Sequence, residues 1–404
     1  MAIIITYKRI NAEKKELKSM MQAVVIGSGM MGKAIALDLC THTSFDDVIV
    51  VDKSNKAVNN MKQDLDDFDI SYQQLDVTDK KEVSHLLKEA MVCISAIPYM
   101  FNLSLTNQAI EHGVNFIDLG GNNTIVQQQR SLFQKAKEHQ VTVIPDMGLA
   151  PGLVSILTKA IVETYDSVEE VTIRVGGLPV HPKPPLEYEI VFSSNGLINE
   201  YMEPALVLDR EKVKELPSMT AVETLHFPEP FGSLEAFLTS GGCSTLPYTY
   251  QDRIRYLDYK TIRYPGHCEK MKTLLDLGFG SIQPIQLGSQ EIVPRDLLIS
   301  MLRKYLSSSG KDVVLLRVIG KGKQKELKIR TTYECIDYFD EVTNCTAMMR
   351  MTGYPVSITA DLIARGIIDQ HGVFCPEEII PTDPFFQELP RREIYIKKIE
   401  ERGS

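Results

Sequence analysis

A glycine-rich turn near the start of the chain limits most strongly what this sequence can fold into. The turn follows the apolar segment Ala23–Ile26 and opens a helical segment, and it reads Gly27-Ser28-Gly29-Met30-Met31-Gly32. Glycine at this spacing allows a tight turn, a close approach of the backbone to a pyrophosphate, and close packing of helix on strand. The unpaired N–H groups at the start of the helix attract phosphate. The pattern predicts a Rossmann-type domain that binds a dinucleotide through all six residues.

The residues that follow the second strand indicate which dinucleotide is bound. Asp52 ends the strand Val48–Asp52, about twenty residues after the turn, where an acidic side chain accepts hydrogen bonds from the adenosine ribose. The same carboxylate repels a 2′-phosphate, so the sequence predicts NAD as the cofactor. Lys53 lies beside it and would partly offset a 2′-phosphate, which leaves NADP as the alternative.

Strand and helix patterns alternate from position 22 to position 145, which predicts a doubly wound parallel sheet. The predicted strands are Ala23–Ile26, Val48–Asp52, Ser71–Asp76, Val92–Ala96, Asn115–Leu119 and Val141–Pro145, and the helices include Met31–Cys40, Asp79–Ala90 and Thr124–His139. Ligands bind at the carboxyl ends of such strands. We therefore expect two strand ends to line the cofactor site, namely Asp76-Val77 and Ser95-Ala96-Ile97-Pro98.

The pattern changes after Pro151, and 404 residues are more than one core usually supports. Longer strands then alternate with loops, which predicts a second α+β domain with a largely antiparallel sheet over residues 148–349. A helical pattern returns near Thr352, with a short helix predicted over Val356–Arg365 after Pro355. The first domain is predicted over residues 21–147, and residues 1–20 form an N-terminal extension.

Composition excludes several classes of function. The net charge of −9 argues against a general nucleic-acid-binding protein. The seven cysteines are scattered without a C-x-x-C pair, which is typical of reduced cytoplasmic thiols and predicts no metal site. No apolar run is long enough to predict a membrane span.

Four motifs, taken together, resemble the saccharopine dehydrogenase-like family. They are Cys93-Ile94-Ser95-Ala96-Ile97-Pro98-Tyr99, Phe116-Ile117-Asp118-Leu119-Gly120-Gly121, the segment Pro145–Leu153, and Thr352-Gly353-Tyr354-Pro355 with the later Pro376-Glu377. Within the family, the segment Tyr259–His267 is most similar to the lysine 6-dehydrogenase branch. The resemblance implies a Rossmann domain interrupted by the second domain, with residues 350–395 returning to pack on the first.

The resemblance also implies which residues lie near substrate and nicotinamide. It places Tyr99, Asp118 and Asp146 there as candidate acid, base or pocket residues, with Gly121 beside the substrate. Gly148 and Leu149 would lie against the nicotinamide.

Polar residues of the second domain complete the predicted site. Arg263 is predicted to pair with a substrate carboxylate, and Tyr264 would point to the opposite face of a regular strand. His267 follows a Pro-Gly turn and is a candidate catalytic imidazole. Other candidate amine partners, which the spacing does not rank, are Glu187, Glu189 and Glu235.

Three functions remain open from the sequence. The first is NAD-dependent oxidation of the ε-amine of L-lysine, with release of ammonia and cyclisation of the aldehyde. The second is a saccharopine reductase or another secondary-amine dehydrogenase, in which Arg253 or Arg255 would supply a second cationic contact. The third is a non-catalytic NAD-binding protein. Small-molecule amino acids are the expected partners, and the second domain is expected to form a homodimer or a dimer of dimers.

Overall fold

The computed structural model describes residues 21–306 and 310–403, so the predicted extension 1–20 lies outside the described residues. The first part of the chain alternates strand and helix. Its elements are β1 Gln22–Ile26, α1 Met30–His42, β2 Asp47–Asp52, α2 Asn55–Asp64, β3 Ser71–Gln74, α3 Lys80–Leu87, β4 Val92–Ser95, a 3₁₀ turn Tyr99–Phe101, α4 Asn102–Glu111, β5 Asn115–Asp118, α5 Asn123–Arg130, α6 Phe133–Glu138 and β6 Thr142–Ile144.

These strands form a fully parallel sheet, as the alternation predicts. The order is β17-β6-β5-β4-β1-β2-β3, where β17 is the later strand Gly372–Val373. The strand order reverses between β1 and β4, which is where ligands bind in open α/β sheets. The helix predicted over Thr124–His139 is instead two helices. Ser131 separates them, and its hydroxyl donates to the carbonyl of Gln128, which competes with the helical backbone.

The second part of the chain is built on a larger, mixed sheet. Its elements are α7 Leu153–Thr164, β7 Ser167–Pro179, α8 Ser194–Met202, β8 Ala205–Asp209, β9 Lys212–Leu216, β10 Glu223–Phe227, β11 Gly232–Leu238, α9 Leu246–Thr249, β12 Ile254–Arg263, α10 His267–Asp276, β13 Ile285–Leu287, β14 Gln290–Ile292, α11 Pro294–Tyr305, β15 Asp312–Gln324 and β16 Leu327–Tyr338. The main order is β10-β11-β12-β7-β15-β16-β18. Every neighbouring pair is antiparallel except β12 with β7, which is parallel.

The C-terminal segment crosses back to the first sheet. Its elements are α12 Ala347–Ala364, β17 Gly372–Val373, α13 Pro376–Ile379, α14 Thr382–Glu388, a 3₁₀ turn Pro390–Arg392 and β18 Lys397–Gly403. Strand β17 extends the parallel sheet beside β6, and β18 then joins the second sheet beside β16. The C-terminal segment therefore supplies one edge strand to each sheet.

Helix α12 differs from the sequence prediction, which started a short helix after Pro355. Pro355 lies inside an 18-residue helix that begins at Ala347. Proline in a helix interior removes a hydrogen bond, so packing must compensate. Helix α12 packs against α1, and a Cβ on Gly353 would lie 2.9 Å from the Cβ of Ala34. Packing of α12 against α1 therefore outweighs the tendency of Pro355 to interrupt a helix.

One hydrophobic core joins the two sheets. It includes residues from α1, α7, α12, β7 and β15, such as Ile35, Ile156, Ile173, Leu316 and Ile358. No helix in the described ranges is long and apolar enough to cross a membrane.

Candidate active site

The glycine-rich turn has the geometry that a dinucleotide requires. The backbone N–H of Gly27 donates to the carbonyl of Val51 at 2.7 Å, which fixes the turn to β2. A Cβ on Gly32 would lie 1.8 Å from the carbonyl oxygen of Gly27, so only glycine allows this approach. Gly29 and Met30 are exposed, and α1 has no side-chain cap among the described residues. Its first N–H groups are therefore available to a phosphate.

Asp52 lies at the end of β2 and braces this turn. One carboxylate oxygen accepts from the N–H of Ser28 at 2.9 Å, and the other accepts from Ser54 at 2.8 Å. Lys53 and Asp76 are exposed beside it, and Val77 is half-buried. These four residues lie at the carboxyl ends of β2 and β3, where the sequence places the adenosine part of the cofactor.

The end of β4 completes the cofactor edge of the sheet. The Cβ position of Gly27 lies 2.7 Å from the carbonyl oxygen of Ala96 and 2.9 Å from Ile97, so the two strand ends meet. Ser95 differs from expectation, because its buried hydroxyl donates inward to Asn102 at 2.8 Å. Its side chain supports the strand end, and Ala96, Ile97 and the exposed Pro98 are left to face a ligand.

Asp146 is the buried carboxyl group at the junction of the two domains. It follows β6, has a left-handed backbone (φ 60°) and is 2% exposed. The hydroxyl of Ser244 donates to its carboxylate and also lies 3.2 Å from the amide oxygen of Asn123. Burial raises the pKa of Asp146 to about 7, although the Ser244 hydrogen bond lowers it, and the charges of Asp118 and Glu377 raise it further. An aspartate that titrates near neutrality is suited to acid–base chemistry.

Gly120 packs directly against this carboxyl group, and Gly121 packs against Tyr99. A Cβ on Gly120 would lie 1.6 Å from the Oδ1 atom of Asp146, and Gly121 approaches the ring of Tyr99 at 3.2 Å from its own Cβ position. The two glycines are adjacent in the chain, so the turn after β5 contacts both Asp146 and Tyr99. Gly148 and Leu149 are buried in the turn that follows.

Asp118 has a different role from that of a reacting acid. It is fully buried, and its carboxylate accepts from Gln129 at 2.6 Å and from the N–H of Gly120 at 2.7 Å. The N–H of Asp146 donates to the same oxygen at 3.4 Å. Burial raises the pKa of Asp118, opposed by these hydrogen bonds. The side chain is occupied within the fold, where it positions Gly120 and Asp146.

Arg263 forms a second centre at the end of β12. The guanidinium is 2% exposed and lies 4.8 Å from the ring centre of Tyr188. It donates to the hydroxyl of Tyr201 at 2.9 Å and to the carbonyl of Ile262 at 2.8 Å. Within the described ranges it makes no ion pair with a carboxylate. Burial raises the pKa of nearby Glu200 to about 7, although the charge of Arg263 opposes this rise.

His267 does not act as the predicted catalytic imidazole. It is fully buried, with Nδ1 2.9 Å from the carbonyl of Leu186 and Nε2 3.0 Å from the hydroxyl of Tyr201. Burial lowers its pKa to about 3, and the charge of Arg263 lowers it further. A neutral ring with both nitrogens occupied orients Tyr201, which in turn contacts Arg263.

Tyr264 also differs from its predicted role in substrate binding. Its hydroxyl donates to the carbonyl of Pro179 at 3.0 Å, and its ring packs on the apolar cluster that contains Phe231. It lies on the face opposite Arg263, as strand alternation predicts, and so does not join the Arg263 centre.

The remaining charged candidates make hydrogen bonds or ion pairs elsewhere in the fold, or are buried. Glu187 pairs with Lys270, and Glu235 caps α10 through the N–H groups of Gly266 and Cys268. Glu189 is buried. Arg255 pairs with Glu169, and Arg253 donates to the carbonyl of Val162.

Sequence reasoning missed the residues of one loop. Residues 239–245 carry none of the motifs identified in the sequence, yet Ser244 donates to Asp146, and Thr245 donates to Glu377 at 2.7 Å. Earlier in the same loop, the N–H of Ser240 donates to the carbonyl of Glu200. The loop thus connects the Asp146 centre to the helix beside Arg263. No local signal marks it, because its partner Glu377 lies 132 residues later in the chain than Thr245.

Two family models match the chain. The saccharopine dehydrogenase NADP binding domain matches residues 23–144, and the saccharopine dehydrogenase C-terminal domain matches residues 148–394. The second match alone covers more than half of the chain.

Curated relatives and a solved structure agree with these matches. The mitochondrial alpha-aminoadipic semialdehyde synthase of Mus musculus is 24% identical over 278 residues, which is 64% of this chain and 28% of that relative. The chain thus spans less than a third of that protein's length. The saccharopine dehydrogenase [NADP(+), L-glutamate-forming] of Saccharomyces cerevisiae is 23% identical over 80% of this chain and 87% of its own length. The apo structure of the histidine-tagged saccharopine dehydrogenase (L-Glu forming) from that yeast has a TM-score of 0.77 at 19% identity, and the match covers 95% of this chain and 100% of that chain.

Proposed function

The chain belongs to the saccharopine dehydrogenase family, and from this premise we propose that it is a dinucleotide-dependent dehydrogenase of the saccharopine type. The reaction joins a secondary amine, water and the oxidised dinucleotide, and it yields an aldehyde or keto product, a primary amine, the reduced dinucleotide and a proton. The reverse reaction is a reductive amination.

The observation that carries the proposal is the buried Arg263. A guanidinium taken out of water without an ion-pair partner costs several kcal/mol. Such a position is favourable once a carboxylate binds, because the planar guanidinium can donate two parallel hydrogen bonds to it. The rings of Tyr188 and Tyr201 hold the group in place. An amino-acid substrate supplies the carboxylate.

Asp146 supplies the proton transfer that the reaction needs. An ammonium group has no lone pair, so the substrate nitrogen must lose its proton before hydride can leave the adjacent carbon. The Asp146 carboxylate accepts that proton, and the resulting carboxylic acid returns it to the amine that departs. The Ser244 hydroxyl stabilises the ionised form by donating to it.

The residues of the first domain fit a nicotinamide dinucleotide. The turn Gly27–Gly32 and the start of α1 would hold the pyrophosphate, and Asp52 would accept from the adenosine ribose. The bound dinucleotide supplies the hydride acceptor. The buried hydroxyl of Ser28 has no hydrogen-bond partner among the described residues, and a ligand on the turn would provide one.

Oxidation of the ε-amine of L-lysine is the second candidate. Saccharopine has more carboxylates than lysine and therefore calls for further cationic contacts. The two arginines expected to supply one, Arg253 and Arg255, are engaged elsewhere. This observation favours the smaller substrate, to which the segment Tyr259–His267 also points.

The test measures formation of reduced cofactor with saccharopine and with L-lysine, each with NAD and with NADP, and assays ammonia in parallel.

Arg263→Lys keeps the charge but cannot make the bidentate contact with a carboxylate, so we expect KM to rise about tenfold or more with a smaller change in kcat. Arg255→Lys, at a surface ion pair, is the matched control and should match the wild type. An unchanged KM in Arg263→Lys contradicts the proposed carboxylate site. Ammonia release with lysine alone selects the second candidate, and no reduction with any amine refutes a dehydrogenase.

A further inference from the structure

Glu377 is a second buried carboxyl group close to the candidate acid–base residue. It belongs to α13 and is 2% exposed. Its Oε1 atom accepts from Thr245 at 2.7 Å and from Thr249 at 2.9 Å. Its Oε2 atom is buried and has no hydrogen-bond partner among the described residues. Neither family resemblance nor the proposed reaction assigns this side chain a role.

One short loop ties Glu377 to Asp146. Ser244 donates to the Asp146 carboxylate, and the next residue, Thr245, donates to the Glu377 carboxylate. The two carboxyl groups are therefore held on either side of a single peptide unit.

No cation neutralises the pair at close range. Among the described residues, no lysine, arginine or histidine lies within ion-pair distance of Glu377 or Asp146. The charge of Lys159 on α7 interacts with Glu377, but its ammonium donates to the carbonyls of Glu378 and Ile380. The other titratable groups that act on the pair are Asp118, Cys243, Tyr250, Cys375 and Glu378.

We propose that Glu377 is a positioning residue for Asp146: the two carboxyl groups carry one proton between them, and the charge of Glu377 keeps that proton on Asp146. Two like charges in a dry site cannot both form at low energy, so the group that ionises first holds the other protonated. Burial raises the pKa of Glu377, but the hydrogen bonds from Thr245 and Thr249 oppose this rise, and in this proposal they make Glu377 the group that ionises first. Asp146 then enters the reductive reaction as an acid, and the oxidative reaction requires that it first lose this proton.

This role rests on the proposed function, and it specifies which group gives up the proton and which group regains it. In the reductive direction, Asp146 donates its proton to the departing oxygen or to the nitrogen and becomes a carboxylate beside Glu377. Repulsion between the two charges raises the affinity of Asp146 for the next proton. Turnover therefore returns the pair to its singly protonated state.

The experiment compares pH profiles of kcat/KM in the oxidative direction, in which Asp146 must be ionised. We expect Glu377→Gln to move the acidic limb of the profile about one pH unit lower, because the charge that raises the pKa of Asp146 is gone. Glu378→Gln, which alters the adjacent and more exposed carboxylate, is the matched control and should move the limb far less, because Arg130 already pairs with that charge. Thr245→Val removes a hydrogen bond that favours the Glu377 carboxylate, so it should move the limb in the same direction by less. Coincidence of the Glu377→Gln and wild-type profiles overturns the proposal.

A second readout does not depend on turnover. An infrared pH titration of the protein without substrate follows the carbonyl stretch of protonated carboxyl groups. Wild type should show a buried carboxyl group that titrates near neutrality, and in Glu377→Gln it should titrate lower by a similar amount. An unchanged titration refutes the shared proton. Because no substrate is present, this result stands whether or not a dehydrogenase reaction is found.

Discussion

Gly113 and Gly120 share a backbone conformation but have different neighbours. Both have φ near 71°, a region that favours glycine. A Cβ on Gly113 would meet nothing within 4 Å, whereas a Cβ on Gly120 would overlap the carboxylate of Asp146. The same substitution thus tests backbone strain at one site and the geometry of the acid–base centre at the other.

We predict that Gly113→Ala destabilises the protein by about 1 kcal/mol, the cost of a left-handed alanine. Gly120→Ala should cost at least about 2 kcal/mol more, because the overlap must be relieved by moving Asp146. Activity should fall strongly in Gly120→Ala and remain near wild type in Gly113→Ala. Urea unfolding gives the free energies, and the cofactor assay gives the activity. Equal effects of the two substitutions would show that Asp146 has room to move.

At the scale of elements, a buried charge network attaches the C-terminal segment to α1. Asp38 of α1 and Arg392 are both fully buried and paired at 2.8 Å, and the hydroxyl of Ser357 on α12 donates to the same carboxylate. Burial alone would raise the pKa of Asp38, but the hydrogen bond from His42 and the charge of Arg392 hold it below its usual value. Stability from this group is therefore fully present above pH about 4, the pKa of an unfolded aspartate, and is lost as pH falls through the lower folded pKa.

We predict that Asp38→Asn lowers the free energy of unfolding by about 3 kcal/mol, because the buried Arg392 loses one of its two charged partners and keeps only Glu388. The loss should be largest at neutral pH and shrink as the wild-type carboxylate protonates in acid. Asp64→Asn breaks the surface ion pair with Lys33 and, as the control, should cost under about 1 kcal/mol. Urea unfolding at several pH values measures both variants. A pH-independent difference between Asp38→Asn and wild type would contradict the assignment.

At the scale of the whole molecule, the two sheets share one core. The chain leaves the first sheet after β6, builds the second sheet and returns through α12 and β17. The largest cluster, which contains Ile35 and Leu316, joins buried side chains of both parts, although each part also has smaller clusters of its own. Ligand binding at the first sheet should therefore stabilise the entire chain.

We predict a single unfolding transition whose midpoint rises when dinucleotide is added. At a concentration of one hundred times Kd, the gain is about 2.7 kcal/mol. NAD should stabilise more than NADP at equal concentration, because Asp52 repels a 2′-phosphate. Thermal unfolding with each cofactor measures the preference, and Asp52→Ser should reduce the difference between them. A larger shift with NADP would reverse the predicted preference and make Lys53 the residue to examine.

The amino-acid sequence is enough to predict the parallel sheet, the dinucleotide turn and the strand ends that carry Asp52, Tyr99 and Asp146. These features follow from the hydrophobic periodicity and from the spacing of residues that are close together in the sequence. The surroundings of Asp146 depend on the folded chain, since Ser244 and Glu377 lie about 100 and 230 positions later in the sequence. The tertiary structure also shows that His267 is a buried support and that α12 runs through Pro355. In each case, burial and packing against distant segments outweigh the local preference, and no local pattern in the chain encodes those contacts.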